Sequence, residues 1–201
     1  MVILPCDEGG LIKAVEALRR DEVVAYPTET VYGLAVNPFS EKALENLFNV
    51  KGRKDDSPVL LVIGELEMLY ALVETVSDNA RRCIEKFWPG PLSLLFTPSA
   101  KLSPKLCGRS GKVCIRWSSH PTSQKLSSMF GGAITSTSAN KSGAPPAKSA
   151  GEILHLEGIA LILDGGCLSS NYVSTVFDPD TCEIIREGAI KRDELLKIIG
   201  D

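Results

Sequence analysis

The chain reads as an α/β protein: one domain over residues 1–201, built on a twisted, mixed sheet, largely antiparallel with parallel pairs, with helices flanking it. Three observations predict this. Segments with apolar residues at helical spacing are interspersed with β-prone runs, yet the two do not alternate strictly, which argues against an all-parallel, doubly wound sheet. The length of 201 residues exceeds what one core needs and falls short of a comfortable two-domain chain. The 44% apolar and 23% charged content is that of an ordinary globular protein, with no composition shift that would set off a tail or linker.

The elements follow in order. Leu11, Val15 and Leu18 fall on one helical stripe opposite Lys13, Arg19 and Arg20. Val23–Tyr26 is a β-prone run that stops at Pro27, which lacks a backbone donor, so residues 27–33 are expected as a loop. Ser40 is placed to cap a helix running through Val50, with Ala43, Leu44, Leu47 and Phe48 as its buried face. A buried strand at 59–63, helices at 65–73 and 77–87, and a strand at 92–97 come next, the last after the rigid turn Trp88-Pro89-Gly90-Pro91. Further strands are expected at 113–117, 133–137, 159–163, 175–178 and 182–186, and helices near 122–129, 149–156 and 192–199. Ser149 and Glu152 have the spacing of a capping box.

Several function classes are excluded or disfavoured. A net charge of -3 argues against a general nucleic-acid coat, whose affinity would come from neutralising many phosphates, so any anion site is local. Six cysteines form no C-x-x-C pair, and the two histidines, His120 and His155, lack metal-ligand spacing; no protein-bound structural metal is expected, and free thiols fit a reducing compartment. Residues 1–10 carry Asp7 and Glu8 and lack a basic, apolar leader, and no apolar stretch approaches the roughly 18 residues of a membrane span, so a cytoplasmic protein without membrane contact is expected. Gly111-Lys112 is followed by Val113, and Leu106 stands where a phosphate loop needs glycine. The G-x-G-x-x-G, G-x-S-x-G and H-E-x-x-H signatures do not occur.

Two segments point to anion chemistry. Lys51-Gly52-Arg53-Lys54 follows a helix end, where the helix dipole by itself favours cations; alone it reads as a solvated terminus, but the apolar strand beyond it anchors it to the core. Residues 137–143, Thr-Ser-Ala-Asn-Lys-Ser-Gly, are dense in small hydroxyls that pair with phosphate oxygens, although the same residues also dominate ordinary turns. Phe87, Trp88 and Trp117 are expected in the core rather than as stacking surfaces, His120 in a turn, His155 on a helix without a catalytic role, and Cys107 and Cys114 as inert.

Five ordered segments resemble the YrdC/Sua5 family of threonylcarbamoyl-AMP synthases over about residues 11–199. They are Tyr26-Pro27-Thr28-Glu29-Thr30-Val31-Tyr32-Gly33-Leu34, Lys51-Gly52-Arg53, Pro89-Gly90-Pro91, residues 137–143, and Ser174-Thr175-Val176 with Arg186-Glu187-Gly188. The resemblance implies a YrdC-like fold with a concave basic face where ATP, L-threonine and bicarbonate or CO2 react to threonylcarbamoyl-AMP and pyrophosphate. The product would serve threonylcarbamoyladenosine (t6A) modification of tRNA through downstream transfer proteins. By the family pattern Lys51 and Arg53 carry catalysis and contact the triphosphate together with Ser57, Ser138, Asn140 and Arg186. Thr28, Thr30, Arg116, Ser136 and Ser174 line the threonine side, and Mg²⁺ accompanies ATP. Arg suits such sites because its planar fork matches carboxylate and phosphate, whereas Lys is a point charge.

Three positions depart from the family pattern: Lys54 in place of a proline, Val62 in place of a histidine near threonine, and Pro146 in place of a serine near ATP. With the chain ending at Asp201, the single-domain form is expected, without the C-terminal domain of longer relatives. Two rival readings fit the same residues. One is a non-catalytic module holding tRNA or another structured RNA on the same basic face, which the acidic balance disfavours. The other is a carbamoyl-transfer domain of a larger maturation enzyme, which the chain length disfavours.

Overall fold

The structure, a computed structural model, describes residues 1–52 and 58–200. Among the described residues, eleven strands form two mixed sheets. The strands are β1 Val2–Pro5, β2 Val23–Tyr26, β3 Gly33–Ala35, β4 Leu60–Ile63, β5 Leu92–Phe96, β6 Val113–Trp117, β7 Ile134–Thr135, β8 Thr137–Ser138, β9 Ile159–Asp164, β10 Thr175–Asp178 and β11 Glu183–Arg186. The five-stranded sheet runs β1-β9-β2-β3-β8 and the six-stranded sheet β11-β10-β5-β6-β4-β7. Both sheets combine parallel pairs (β1·β9, β2·β9, β5·β10, β4·β6) with antiparallel ones, as the mixed pattern of the sequence predicts, but the strands are shared between two sheets instead of one.

The helices α1 Glu8–Arg19, α2 Glu41–Lys51, α3 Asp78–Phe87, α4 Pro121–Phe130 and α5 Arg192–Ile199 flank the sheets. Their starts follow capping chemistry: Asp7, Ser40 and Ser77 accept from the backbone N–H three residues on, and His120 accepts from Thr122 N. Leu11, Val15 and Leu18 of α1 pack with Val24 and Tyr26 of β2 and Leu126 of α4 in one core. Val23 and Ala25 face the other way, into a larger core with Leu44 and Leu47 of α2 and Cys83 and Ile84 of α3. β2 is thus buried on both faces, which its uninterrupted Val-Val-Ala-Tyr run requires. Among the described residues, no helix is long and apolar enough to cross a membrane.

The structure departs from the sequence reading in local detail, and the expected strand at 133–137 is divided into β7 and β8. Strands β1 and β3 were not expected. The segments at 66–71 and 150–153 are 3₁₀ rather than α-helices. Their core-facing residues recur every third position, at half-buried Leu66 with buried Leu69 and Leu72 and at buried Ala150 and Ile153, a spacing that three residues per turn stack on one side. Ser149 makes no side-chain cap bond, and the Glu152 carboxylate accepts from Lys148 N at 2.8 Å instead of closing a capping box. Cys182 adopts φ 56° in the β10–β11 turn, so that strand begins one residue later than expected, at Glu183.

The Trp88-Pro89 turn contains a cis peptide bond and is tied to the sheets by Gly90 N donating to Trp117 O at 2.8 Å. Trp88 donates Nε1 to Leu92 O at 2.7 Å and meets Phe96 edge-on, while Trp117 donates to Gly64 O. Both indoles are therefore occupied within the fold, as expected of core residues.

Thr175, fully buried in β10, closes the C-terminal segment. Its Oγ1 donates to Ile190 O at 2.7 Å and accepts from Gly188 N and Ile190 N at 3.0 Å each. Thr175→Val keeps the shape and leaves these backbone groups without a partner. Equilibrium urea denaturation is expected to show a loss of about 1–3 kcal/mol, and Thr175→Ser to recover most of it.

Candidate active site

The two sheets meet over a cavity of about 560 Å³. One wall is the face of the six-stranded sheet on which side chains alternate outward: Leu60 of β4, Ser93 of β5, Cys114 and Arg116 of β6, Ser174 and Val176 in and before β10, and Arg186 of β11. The register explains the grouping, because Leu60 pairs with Cys114, and Val176 pairs with both Ser93 and Arg186. A bulge between Val176 and Phe177 leaves Ile185 unpaired, so Ile185 and Arg186 both reach the cavity. The opposite wall is the loop 28–33 with residues 136–143. Segment 134–138 passes from one sheet to the other, and Ser136 at the crossing still donates its N–H to Leu60 O at 2.7 Å. Gly33 permits this closeness, since a Cβ there would lie 2.9 Å from Ser136 Oγ.

Lys51, at the end of α2, is only 4% exposed. Its ammonium donates to Ser138 O and Asn140 Oδ1 at 2.6 Å each, with Ser138 Oγ at 3.4 Å. Ser138 Oγ also donates to Asn140 Oδ1 at 2.7 Å, Asn140 Nδ2 donates to Ala144 O, and Ser142 N donates back to Lys51 O at 3.0 Å. The hydroxyl-rich loop is thus folded around a cation. Gly52 ends the helix in the left-handed region, φ 59°.

At the other end, Thr28 Oγ1 accepts from Thr30 N and Val31 N at 3.2 Å each, donates to Val31 O, and lies 3.0 Å from Thr30 Oγ1. Arg116, 2% exposed, donates Nη1 to Thr30 Oγ1 at 3.2 Å and lies 3.2 Å from Glu29 Oε1. Glu29 Oε2 accepts from Ser118 Oγ. Among the described residues, buried Arg116 Nε has no hydrogen-bond partner, so the fork edge not used by Thr30 and Glu29 keeps unspent donor capacity. Arg186 donates Nε and Nη2 to Ser174 O at 3.2 and 2.9 Å, and Nη2 to Ser174 Oγ at 3.0 Å. Burial, with Arg116 nearby, pushes the Arg186 guanidinium below its ordinary value. Burial raises the Cys114 thiol to about 12, which keeps it protonated and unreactive.

The structure brings together Thr28, Thr30, Lys51, Arg116, Ser136, Ser138, Asn140, Ser174 and Arg186 around this one cavity. Arg53 and Ser57, and Lys54 of the basic tetrad, lie outside the described residues. Pro146 lines the cavity, whereas Val62 is buried in the smaller core. Sequence reasoning missed Glu29, Ser93, Tyr32 and Cys114 as residues at or behind the walls. Ser93 carried a signal, as a polar residue in the otherwise apolar Leu-Ser-Leu-Leu-Phe strand; so did Glu29, a carboxylate between two threonines. His155 lies in an exposed turn, not on a helix.

Two mixed sheets meeting over a cavity walled by buried Lys and Arg, with hydroxyls and no carboxylate among its described lining residues, define an α/β protein with an anion-receiving cleft. The chain belongs to the Sua5/YciO/YrdC family, whose model, described as "Telomere recombination", matches residues 16–188. It is 35% identical to a Bacillus subtilis protein named threonylcarbamoyl-AMP synthase, over 98% of this chain and 58% of the relative. A Vibrio vulnificus protein of the same name is 35% identical over 89% of this chain and 98% of the relative. Pyrococcus abyssi Sua5, solved in complex with L-threonine, superposes with a TM-score of 0.91 at 33% identity, over 99% of this chain and 60% of that one. The chain therefore spans a little under two thirds of the Bacillus and Pyrococcus relatives and nearly all of the Vibrio one.

His120, behind the Glu29–Ser118 pair, caps α4 through Nδ1, and burial holds it below its ordinary value of 6.5, with Glu29 opposing the shift. The unfolded chain then binds that proton more readily than the folded one. Stability is full above the ordinary value and falls as pH drops below it. Denaturation followed from neutral pH to about pH 5 is expected to show this slope, and His120→Asn, which caps without titrating, to flatten it.

Proposed function

We propose that the chain, read as one YrdC-like domain, is a cytoplasmic threonylcarbamoyl-AMP synthase, a nucleotidyltransferase. It would join L-threonine, bicarbonate or CO2, and ATP into L-threonylcarbamoyladenylate, releasing pyrophosphate, for t6A modification of tRNA. The observation that carries the reading is Arg116: a guanidinium buried at the cavity wall, beside the Thr28–Thr30 hydroxyl pair, with an unpartnered Nε. A buried guanidinium edge without an acceptor is costly until an anion arrives, and a carboxylate meets it bidentately. The relatives' shared name and the threonine bound to Pyrococcus Sua5 support the amino acid as that anion.

On this reading Thr28, Thr30, Arg116, Ser136 and Ser174 hold threonine. Lys51 and Arg53, assisted by Ser57, Ser138, Asn140 and Arg186, hold the triphosphate and offset its charge. A carbamate oxygen of N-carboxythreonine attacks the α-phosphorus, the bond to the β-phosphate oxygen breaks, and pyrophosphate leaves with that electron pair. No protein nucleophile is required; positioning and fixed positive charge do the work. Lys51 is suited to this as a fixed charge, because Ser138 O and Asn140 hold its ammonium in place.

Mg²⁺ would enter with ATP. The described lining residues offer hydroxyls, an amide and cations, and Glu29 is engaged behind Arg116, so triphosphate oxygens and water rather than this wall would supply the ion's ligands. Its chemistry is to neutralise charge on the leaving pyrophosphate. The product would pass to downstream t6A transfer proteins.

Purified protein given ATP, Mg²⁺, bicarbonate and threonine is expected to release pyrophosphate only when threonine is present. Threonine-independent release, or salt-sensitive RNA binding without turnover, would sink the reading. Arg53→Ala is expected to weaken ATP binding by about 1.5–3 kcal/mol, measured by calorimetry, as loss of a hydrogen bond to a charged group would.

A further inference from the structure

Ser93 belongs to no part of the machinery assigned above, yet it is fully buried on the cavity floor. The antiparallel pairing of Leu94 with Ile115 puts Ser93 beside Arg116, and its parallel pairing with Val176 puts the β10 strand on its other side. It therefore stands between the Arg116 and Arg186 strands, the two guanidiniums that sense each other's charge.

The hydrogen bonds around it can be counted. Ser93 Oγ donates to Ser174 Oγ at 3.0 Å, and Arg186 Nη2 donates to the same oxygen at 3.0 Å. A hydroxyl has two acceptor lone pairs and one proton. Both lone pairs of Ser174 Oγ are taken, so its own proton is left over, on a residue that lines the cavity. Ser93 also neighbours Cys114, which burial keeps as a thiol, and the geometry directs the Ser93 proton to Ser174.

We propose that Ser93 is a positioning residue that turns Ser174 into an obligate donor toward the ligand, resting on the reading that this cavity binds an amino acid. A Ser174 so fixed recognises an oxygen that only accepts. It selects an anionic carboxyl oxygen of the amino acid or its carbamate over an ammonium or amide N–H, which has no lone pair to accept and would set a second proton against the first. In Ser93→Ala one lone pair of Ser174 is released, the hydroxyl can rotate, and the preorganised donor is lost although Ser174 itself remains.

The test is steady-state pyrophosphate release by Ser93→Ala and Ser93→Thr, with thermal melting of each. The alanine variant is expected to raise KM for threonine about tenfold, the factor one hydrogen bond of ordinary net strength carries, and to leave KM for ATP within about twofold. Threonine, which restores the hydroxyl, is expected to restore KM. An alanine variant with unchanged threonine KM overturns the role of Ser93, as does an equal rise in both KM values that tracks a lowered melting temperature. Should Ser93→Ala not fold, Ser93→Cys, close in volume and a weak donor, is read by the same criteria, with an intermediate KM supporting the proposal. Wild-type protein without threonine-dependent turnover would overturn the functional reading itself, a result distinct from wild-type turnover with no effect at position 93.

Discussion

A cation buried at the end of a helix is the constraint on which the cleft depends. Lys51 is taken out of water, and an ammonium there is tolerated only where acceptors surround it. The protein supplies them from a loop nearly ninety residues away in sequence, through Ser138 O and Asn140 Oδ1, and the loop in turn caps the Lys51 carbonyl through Ser142 N. The loop's many small hydroxyl and amide residues thus have an internal role: they allow a tight fold around the charge. The same arrangement fixes a positive charge at the cavity wall without leaving it on a mobile side chain.

That loop is in place because segment 134–138 belongs to both sheets. Ile134 and Thr135 pair with β4 in one, Thr137 and Ser138 with β3 in the other. Thr135 secures the crossing from the inside, accepting from Val36 N through Oγ1 at 2.9 Å and donating to Leu34 O at 3.0 Å. With the crossing fixed, the β4–β6 pairing sets Arg116 opposite Val62 and so sets its distance from the Thr28–Thr30 turn. A one-residue slip in either pairing would send Arg116 to the opposite face, into apolar core. The registers of short strands therefore decide where the charges stand.

Much of this was legible in the sequence, for a physical reason. Elements with strong local signals appear where expected: α2 with its Ser40 cap, β2 ended by Pro27, and β6, β10 and α5 at their expected bounds. Strands of two to four residues, β1, β3, β7 and β8, were illegible or merged, because so few residues show no period and their existence depends on partners far along the chain. Cavity residues were legible mainly as an ordered set resembling a family, since no spacing rule links Thr30 to Arg116. Glu29 and Ser93 stayed hidden because each acts on a neighbouring side chain, and such contacts exist only once the strands are registered.

The charges along the cleft give these geometric facts a direction. Arg116 and Arg186 stand close enough that Arg116 opposes protonation of Arg186, so the unliganded site carries repulsion as well as desolvation. The fold offsets only part of it. Glu29 lies against the Nη1 side of Arg116, and Arg186 spends Nε and Nη2 on the neutral oxygens of Ser174. No described carboxylate lies between the two guanidiniums to complete the compensation. An anion that bridges from one to the other relieves both costs at once, and its gain grows as charge accumulates on its oxygens in a low-dielectric cavity. A carboxylated amino acid attacking a phosphate is a species of that kind, with negative charge at each end and more developing between them. On the proposed function, the incomplete neutralisation of the cleft would let it favour the reacting state over the bound substrates.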